Sequence, residues 1–222
     1  MPTVLFALTS HDTLGDTGRK TGFYVPEVAH PAQVFTAAGW KVAFVSVKGG
    51  AAPQDGIKPG DTVSAAFLAD HAQALATTPT ADQLKAADYD AIYYAGGHGT
   101  MWDFPQATAL ATLATDIYEN GGVVAAVCHG PAGLLPVVLS NGTPLVAGRK
   151  VSTFTNEEEE AAGLTETVPF ALETALVELG ANVTKTDNFA AHAVADGRLV
   201  TGQNPASAAR VAELVIEQST AL

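Results

Sequence analysis

An α/β fold with a mostly parallel central sheet is the class this chain predicts, on three observations. Short β-rich runs alternate with helical patterns along the chain, as a series of βαβ units does. Hydrophobic residues make up 47% of 222, enough to bury a sizeable core in one large domain. No internal repeat, low-complexity tract or long linker breaks the alternation.

The elements follow in order. "TVLFALT" at 3–9 reads as the first strand, and "VPEVAHPAQVFTAAG" at 25–39 as a helix with Pro26 in its first turn and Gly39 at its stop. Pro31 inside that stretch predicts a kink or a later start. "KVAFVSV" at 41–47 is the next strand, and "YDAIYYAGG" at 89–97 another that closes in a glycine turn. Residues 48–88 are rich in Gly, Pro, Ala and Thr, with helical patches at "SAAFLADHAQALA" and "TADQLKAA". They read as an insertion beside the sheet, so that 1–222 is a single domain carrying one insertion. "PQATALATLATDIYENGG" at 105–122 is an amphipathic helix stopped by two glycines and leading into the strand "VVAAV". After Cys128, "GPAGLLPVVL" predicts a helix, "RKVSTF" a strand and "VPFALETALVELGA" another helix. "NVTKT" completes the strands with "AHAVADGRLVTGQ", a hairpin turning at Asp196-Gly197. "PASAARVAELVIEQS" is the last helix, capped by Asn204, which gives "GQNPAS" a structural role.

Charge narrows the partners. Eleven Lys and Arg against 23 Asp and Glu give a formal charge of −12, so neither nucleic-acid phosphates nor anionic membranes find a basic surface. A small molecule is the expected partner. "TVLFAL" is too short for a signal segment or a membrane span, and later apolar runs are broken by Gly or polar residues, which predicts a soluble, cytoplasmic chain. Cys128 is the only cysteine, so its thiol has no disulfide partner in the chain, as suits a reducing compartment.

That cysteine falls in "GGVVAAVCHGPAGLL" at 121–135, where a buried strand stops. A strand turning sharply into a helix pushes the turn residue out at the sheet's carboxyl edge, where open α/β sheets bind ligands. The helix predicted after Cys128 would aim its free N–H groups at the sulfur and stabilise the thiolate. Gly130 and Pro131 fit such a turn. A buried structural cysteine is the alternative; the whole pattern favours a nucleophile.

"TGFYVPEVAHP", "YYAGGHG", "GGHGT" followed by an aromatic residue and "DFP", "GGVVAAVCHGP" and "LVTGQNPAS" together resemble the ThiJ/PfpI family of the type 1 glutamine amidotransferase-like superfamily, and within it the heat-shock-protein-31-like glyoxalase III branch. The resemblance covers nearly the whole chain. It implies a flavodoxin-like sandwich, with Cys128 as nucleophile on an elbow and His129 as base or proton shuttle. A carboxylate from "STFTNEEEEAAGL" would orient His129; counting from Phe154 and Gly163 places it at Glu159, with Glu158 second and the other glutamates solvated at a helix start. It also moves Glu27 from an exposed helix face to the thiol. In that apolar neighbourhood its carboxyl would hold its proton and donate a hydrogen bond to Cys128.

In "AGGHGTMWDFP", the N–H of Gly97 and that of His129 are candidates for an oxyanion hole, with a plain turn as the alternative. His98 either lines the pocket or sits on the surface, and Met101 and Trp102 wall the site or cap the core. His11, His30, His71 and His192 lack a second member at metal-ligand spacing, so no metal site is expected, although some relatives carry one outside the catalytic centre.

A thiolate beside a histidine, with no cofactor motif, suits covalent chemistry at an electrophilic carbon. The resemblance implies cofactor-independent, glutathione-independent glyoxalase III activity, a lyase converting methylglyoxal and similar 2-oxoaldehydes to 2-hydroxy acids through a Cys128 hemithioacetal. It also leaves a holdase chaperone, a redox sensor oxidised at Cys128, and an amidase or protein deglycase as alternatives, and it implies a homodimer.

Overall fold

The computed structural model describes residues 1–220. Strands β1 (Thr3–Leu8), β2 (Phe23–Tyr24), β3 (Lys41–Ser46) and β4 (Gln54–Asp55) alternate with helices α1 (Pro26–Ala37) and α2 (Thr62–Ala76). The middle of the chain supplies β5 (Ala91–Tyr94), α3 (Thr100–Asp103), α4 (Thr108–Glu119) and β6 (Val123–Val127). The remainder adds β7 (Lys150–Val151), α5 (Asn156–Ala161), α6 (Leu172–Glu178), β8 (Asn182–Val183), β9 (Ala193–Asp196), β10 (Leu199–Gly202) and α7 (Ala208–Thr220).

Six strands form the central sheet in the order β3-β1-β5-β6-β10-β9. All neighbours are parallel except the β9–β10 hairpin at one edge. Alternation along each strand feeds two cores: Val4, Phe6 and Leu8 of β1 face one side with Phe35 of α1, Phe67 of α2 and Val211 of α7. Leu5 and Ala7 face the other with Leu113 of α4 and Leu176 of α6. The result is the predicted sandwich, and β1, β5 and β6 direct their carboxyl ends to one edge. The order reverses between β1 and β5, the switch point where such sheets open a crevice.

Some elements differ from expectation. The first helix starts at Pro26 and runs through Pro31 to Ala37, with Gly39 left-handed just beyond it. Pro31 therefore delays nothing; it only withholds the N–H that would reach the Glu27 carbonyl. "TADQLKAA" forms two short 3₁₀ turns, Ala81–Gln83 and Ala86–Asp88. "RKVSTF" and "NVTKT" contribute only the two-residue β7 and β8, paired in a separate ribbon. The helix expected after Cys128 is a single 3₁₀ stretch, Gly130–Leu134. Pro136 lacks the N–H that would continue it, and Gly133 is pressed against the Tyr94 ring.

Candidate active site

Two turns at the carboxyl edge build the site. β6 ends at Val127, and Cys128 follows with φ 60°, a left-handed conformation that is costly for a residue with a side chain. It is held by three bonds: the Cys128 N–H donates to Gly202 O, while its carbonyl accepts from Phe154 N at 2.9 Å and Thr153 Oγ1 at 3.0 Å. This strain is what the elbow predicts. β5 ends beside it in Gly96-Gly97, and a Cβ at Gly96 would collide with the Glu27 carboxyl and lie 2.9 Å from Cys128 Cβ. Only glycine lets the helix α1 carboxyl and the thiol meet. Gly97, with φ 108°, is packed as closely against the backbone of Gly22 and Tyr24.

Cys128 and His129, the predicted nucleophile and base, are adjacent in sequence and in space. Cys128 Sγ lies 3.3 Å from His129 Nδ1, and His129 Nε2 lies 2.6 Å from Glu159 Oε2. Glu159 Oε1 lies 2.8 Å from His98 Nε2. An ionised carboxylate only accepts, so both imidazoles donate their Nε2–H to Glu159 and His129 Nδ1 is left with a free lone pair towards the sulfur. Burial, aided by His98, lowers the His129 pKa to about 4, which keeps its ring neutral at physiological pH. Glu159 is lowered to about 2: burial opposes this, but the two imidazole donors outweigh it. Phe154 completes the setting, its ring 4.5 Å from that of His129.

Glu27 sits under the opposite influence. It is completely buried, and among the described residues neither oxygen has a well-formed hydrogen bond, although the Cys128 thiol and Gly96 N–H lie near enough to favour its charge. Burial raises its pKa to about 8. The dipole at the start of α1 is worth about 0.3–1 kcal/mol to a carboxylate, too little to reverse that. Burial, and then Glu27, also push the Cys128 thiol up, while the His129 N–H facing the sulfur works the other way. The expectation of a resting thiolate is thus corrected. A five-residue 3₁₀ stretch carries little dipole, and Cys128 is only 5% exposed, so burial favours the protonated thiol.

The remaining predicted residues divide. Glu158, the second candidate for the orienting acid, is fully buried but turned away from His129, accepting from Thr155 N, Phe189 N and Asn204 Nδ2. Glu157 and Glu160 are exposed, as read from the sequence. His98 belongs to the pocket through Glu159. Neither the Gly97 nor the His129 N–H serves another backbone carbonyl among the described residues. Met101 is core, and Trp102 stacks on His11 with rings 5.0 Å apart. His98, His129 and Glu159 bring three metal-ligand-type atoms within 4.8 Å of one another, a grouping the chain spacing conceals. Their mutual hydrogen bonds already engage those atoms, so a cation would have to break both. Sequence reasoning missed Phe154 as the wall of His129 and Gly96 as the gap for Glu27; the paired glycines after β5 were the one signal for the latter.

A cysteine strained at the end of a parallel strand, served by an imidazole that a buried carboxylate orients, defines a cysteine-dependent α/β enzyme. Comparison with known proteins narrows this class: the model of the DJ-1/PfpI family matches residues 20–218, and the chain belongs to that family. It is 36% identical to glyoxalase 3 of Candida albicans over 97% of this chain and 98% of that protein. It is 37% identical to the glutathione-independent glyoxalase HSP31 of Saccharomyces cerevisiae, over 92% of each. Among solved structures, glyoxalase III of Candida albicans matches with TM-score 0.90 and 33% identity, over 98% of this chain and 97% of that one. Rapid Encystment Protein 24 kDa of Francisella tularensis matches with TM-score 0.94 and 35% identity over 99% of each.

Proposed function

We propose that this protein is a glutathione-independent glyoxalase that converts methylglyoxal and related 2-oxoaldehydes to 2-hydroxy acids. The observation that carries this reading is the relay from Cys128 Sγ through His129 to Glu159, 3.3 Å and 2.6 Å long, with a carboxyl of opposite protonation beside the sulfur. The relatives' names support it. Sulfur adds to the aldehyde carbon C1, and the thiol proton passes through His129 to the former aldehyde oxygen, giving a hemithioacetal. His129 then removes the C1 proton while Glu27 protonates the C2 oxygen, forming an enediol. Return of the first proton to C2 and of the C1 hydroxyl proton to Glu27 leaves a thioester. Water cleaves its C1–S bond, releasing the 2-hydroxy acid and restoring the thiol. The N–H groups of Gly97 and His129 would steady negative charge on the oxygens.

A cysteine with 5% exposure suits a small aldehyde better than a peptide amide, which needs a groove leading to the nucleophile. A holdase would present a continuous apolar face. Among the described residues the large exposed apolar side chains are Met1, Ile57, Val138, Val177 and Phe189, none adjacent to another along the chain. Lactate formation from methylglyoxal without added thiol tests the proposal: wild type produces it and Cys128→Ala does not. Full activity in Cys128→Ala refutes the role of the thiol. We further propose a cytoplasmic homodimer; a single free cysteine suits that compartment, and sedimentation of the purified chain checks the assembly. Among the described residues, no helix is long and apolar enough to cross a membrane.

A further inference from the structure

Two non-glycine residues among those described have positive φ, Cys128 and Phe189. Covalent chemistry accounts for the first. Phe189, in the segment between β8 and β9, has φ 62°, a conformation that is an outlier for a bulky side chain and persists only where neighbours hold it. The holder is Glu158: its Oε1 accepts the Phe189 N–H at 2.8 Å and Asn204 Nδ2 at 2.9 Å, while Oε2 accepts Thr155 N at 3.0 Å. The buried neighbour of Glu159 thus fixes the Phe189 backbone. The ring gains little for the fold, because Phe189 is 52% exposed. It lies 6.2 Å from the ring of Phe154, which in turn lies 4.5 Å from that of His129. An aromatic row therefore runs outward from the imidazole to a half-exposed phenylalanine held in a conformation that glycine would adopt more cheaply.

We infer that Phe189 is a specificity-determining residue, its ring forming the outer apolar wall that receives the carbon substituent of a 2-oxoaldehyde bonded to Cys128. This rests on the glyoxalase reading above and names the substrate class within it: alkyl and aryl glyoxals in preference to unsubstituted glyoxal. Glyoxal has nothing to lay on the wall, methylglyoxal has a methyl group, and phenylglyoxal has a ring able to pack on Phe189 and Phe154.

The test is kcat/KM of wild type, Phe189→Ala and Phe189→Gly with glyoxal, methylglyoxal and phenylglyoxal, no thiol being added. Both variants lose about tenfold more kcat/KM for phenylglyoxal than for glyoxal, chiefly in KM. Phe189→Gly melts above Phe189→Ala because glycine takes the positive φ without strain, yet it shares the same selective loss, which separates the ring from the integrity of the loop. Equal losses for all three substrates, or none, overturn the inference while wild-type turnover upholds the glyoxalase reading. A change of sedimentation coefficient in Phe189→Ala at assay concentration also overturns it, by making Phe189 a subunit contact. A wild type that turns over none of the three overturns both.

Discussion

Glu27 stands beside the sulfur and Glu159 behind the imidazole, and the fold drives their protonation in opposite directions. Both are buried. The difference lies in the donors each one finds: Glu159 receives two imidazole N–H groups and is ionised down to about pH 2, whereas Glu27 has no well-formed hydrogen bond and holds its proton to about pH 8. Burial alone pushes both towards the protonated form. Environments that separate two carboxyl groups in this way assign one as proton donor and the other as electrostatic orienter. In the proposed reaction this is how a buried thiol would react, with a neutral His129 accepting its proton and a neutral Glu27 giving one.

Removing the orienter has the largest expected effect. Glu159→Ala leaves the Nε2–H of both His98 and His129 without their acceptor and frees the tautomer of His129, so kcat falls about 10²–10⁴-fold, as steady-state assay would record. Glu27→Gln comes next. It keeps the shape but gives up no proton, and kcat falls about 10²-fold, with loss of the alkaline limb near pH 8 that wild type shows as Glu27 ionises. If the two substitutions cost the same and leave one pH profile, the assignment of distinct roles is wrong.

Stability sharpens the comparison with smaller effects. Because the folded pKa of Glu27 is raised from 4.5 to about 8, the folded state holds a proton that the unfolded state has released in that window. The stability from that proton is complete below pH 4.5 and is lost as pH rises through 8. Melting temperatures of Glu27→Gln should therefore overtake wild type on the alkaline side. His129 acts in the other direction. Its folded pKa is lowered from 6.5 to about 4, so its contribution is present above pH 6.5 and disappears as pH falls towards 4. His129→Gln should flatten the acid side of the melting curve and leave the alkaline side unchanged.

Much of this site was legible in the sequence, because the signals were local. A strand ending at a lone cysteine, followed by His-Gly-Pro, announces a strained turn whatever surrounds it, and the structure places Cys128 at φ 60°. Glu159 was reachable through the family resemblance, by counting from Phe154 and Gly163 in "STFTNEEEEAAGL"; in the structure α5 begins there at a capping box formed by Thr155 and Glu158. Glu158, the second candidate for the orienting acid, is the N3 member of that box, and its burial is decided by Phe189 and Asn204 from distant segments, which no local pattern reports. The resting thiolate was inferred from a helix that Pro136 cuts short. Desolvation is the dominant influence on Cys128 and Glu27; the apolar neighbourhood of Glu27 signalled it there, whereas for Cys128 it depends on how α1 and β5 pack, which no local pattern reports. His98 was undecidable for a similar reason, because its partner Glu159 lies 61 residues away.

The opposed protonation of the two glutamates is open to direct observation. Side-chain carboxyl carbons of glutamate, followed by NMR from pH 3 to pH 9 and assigned through Glu27→Gln and Glu159→Gln, should show Glu27 titrating with a midpoint of about 8 and Glu159 ionised throughout. A Glu27 midpoint near the ordinary 4.5, leaving two carboxylates around the thiol at neutral pH, would contradict the account.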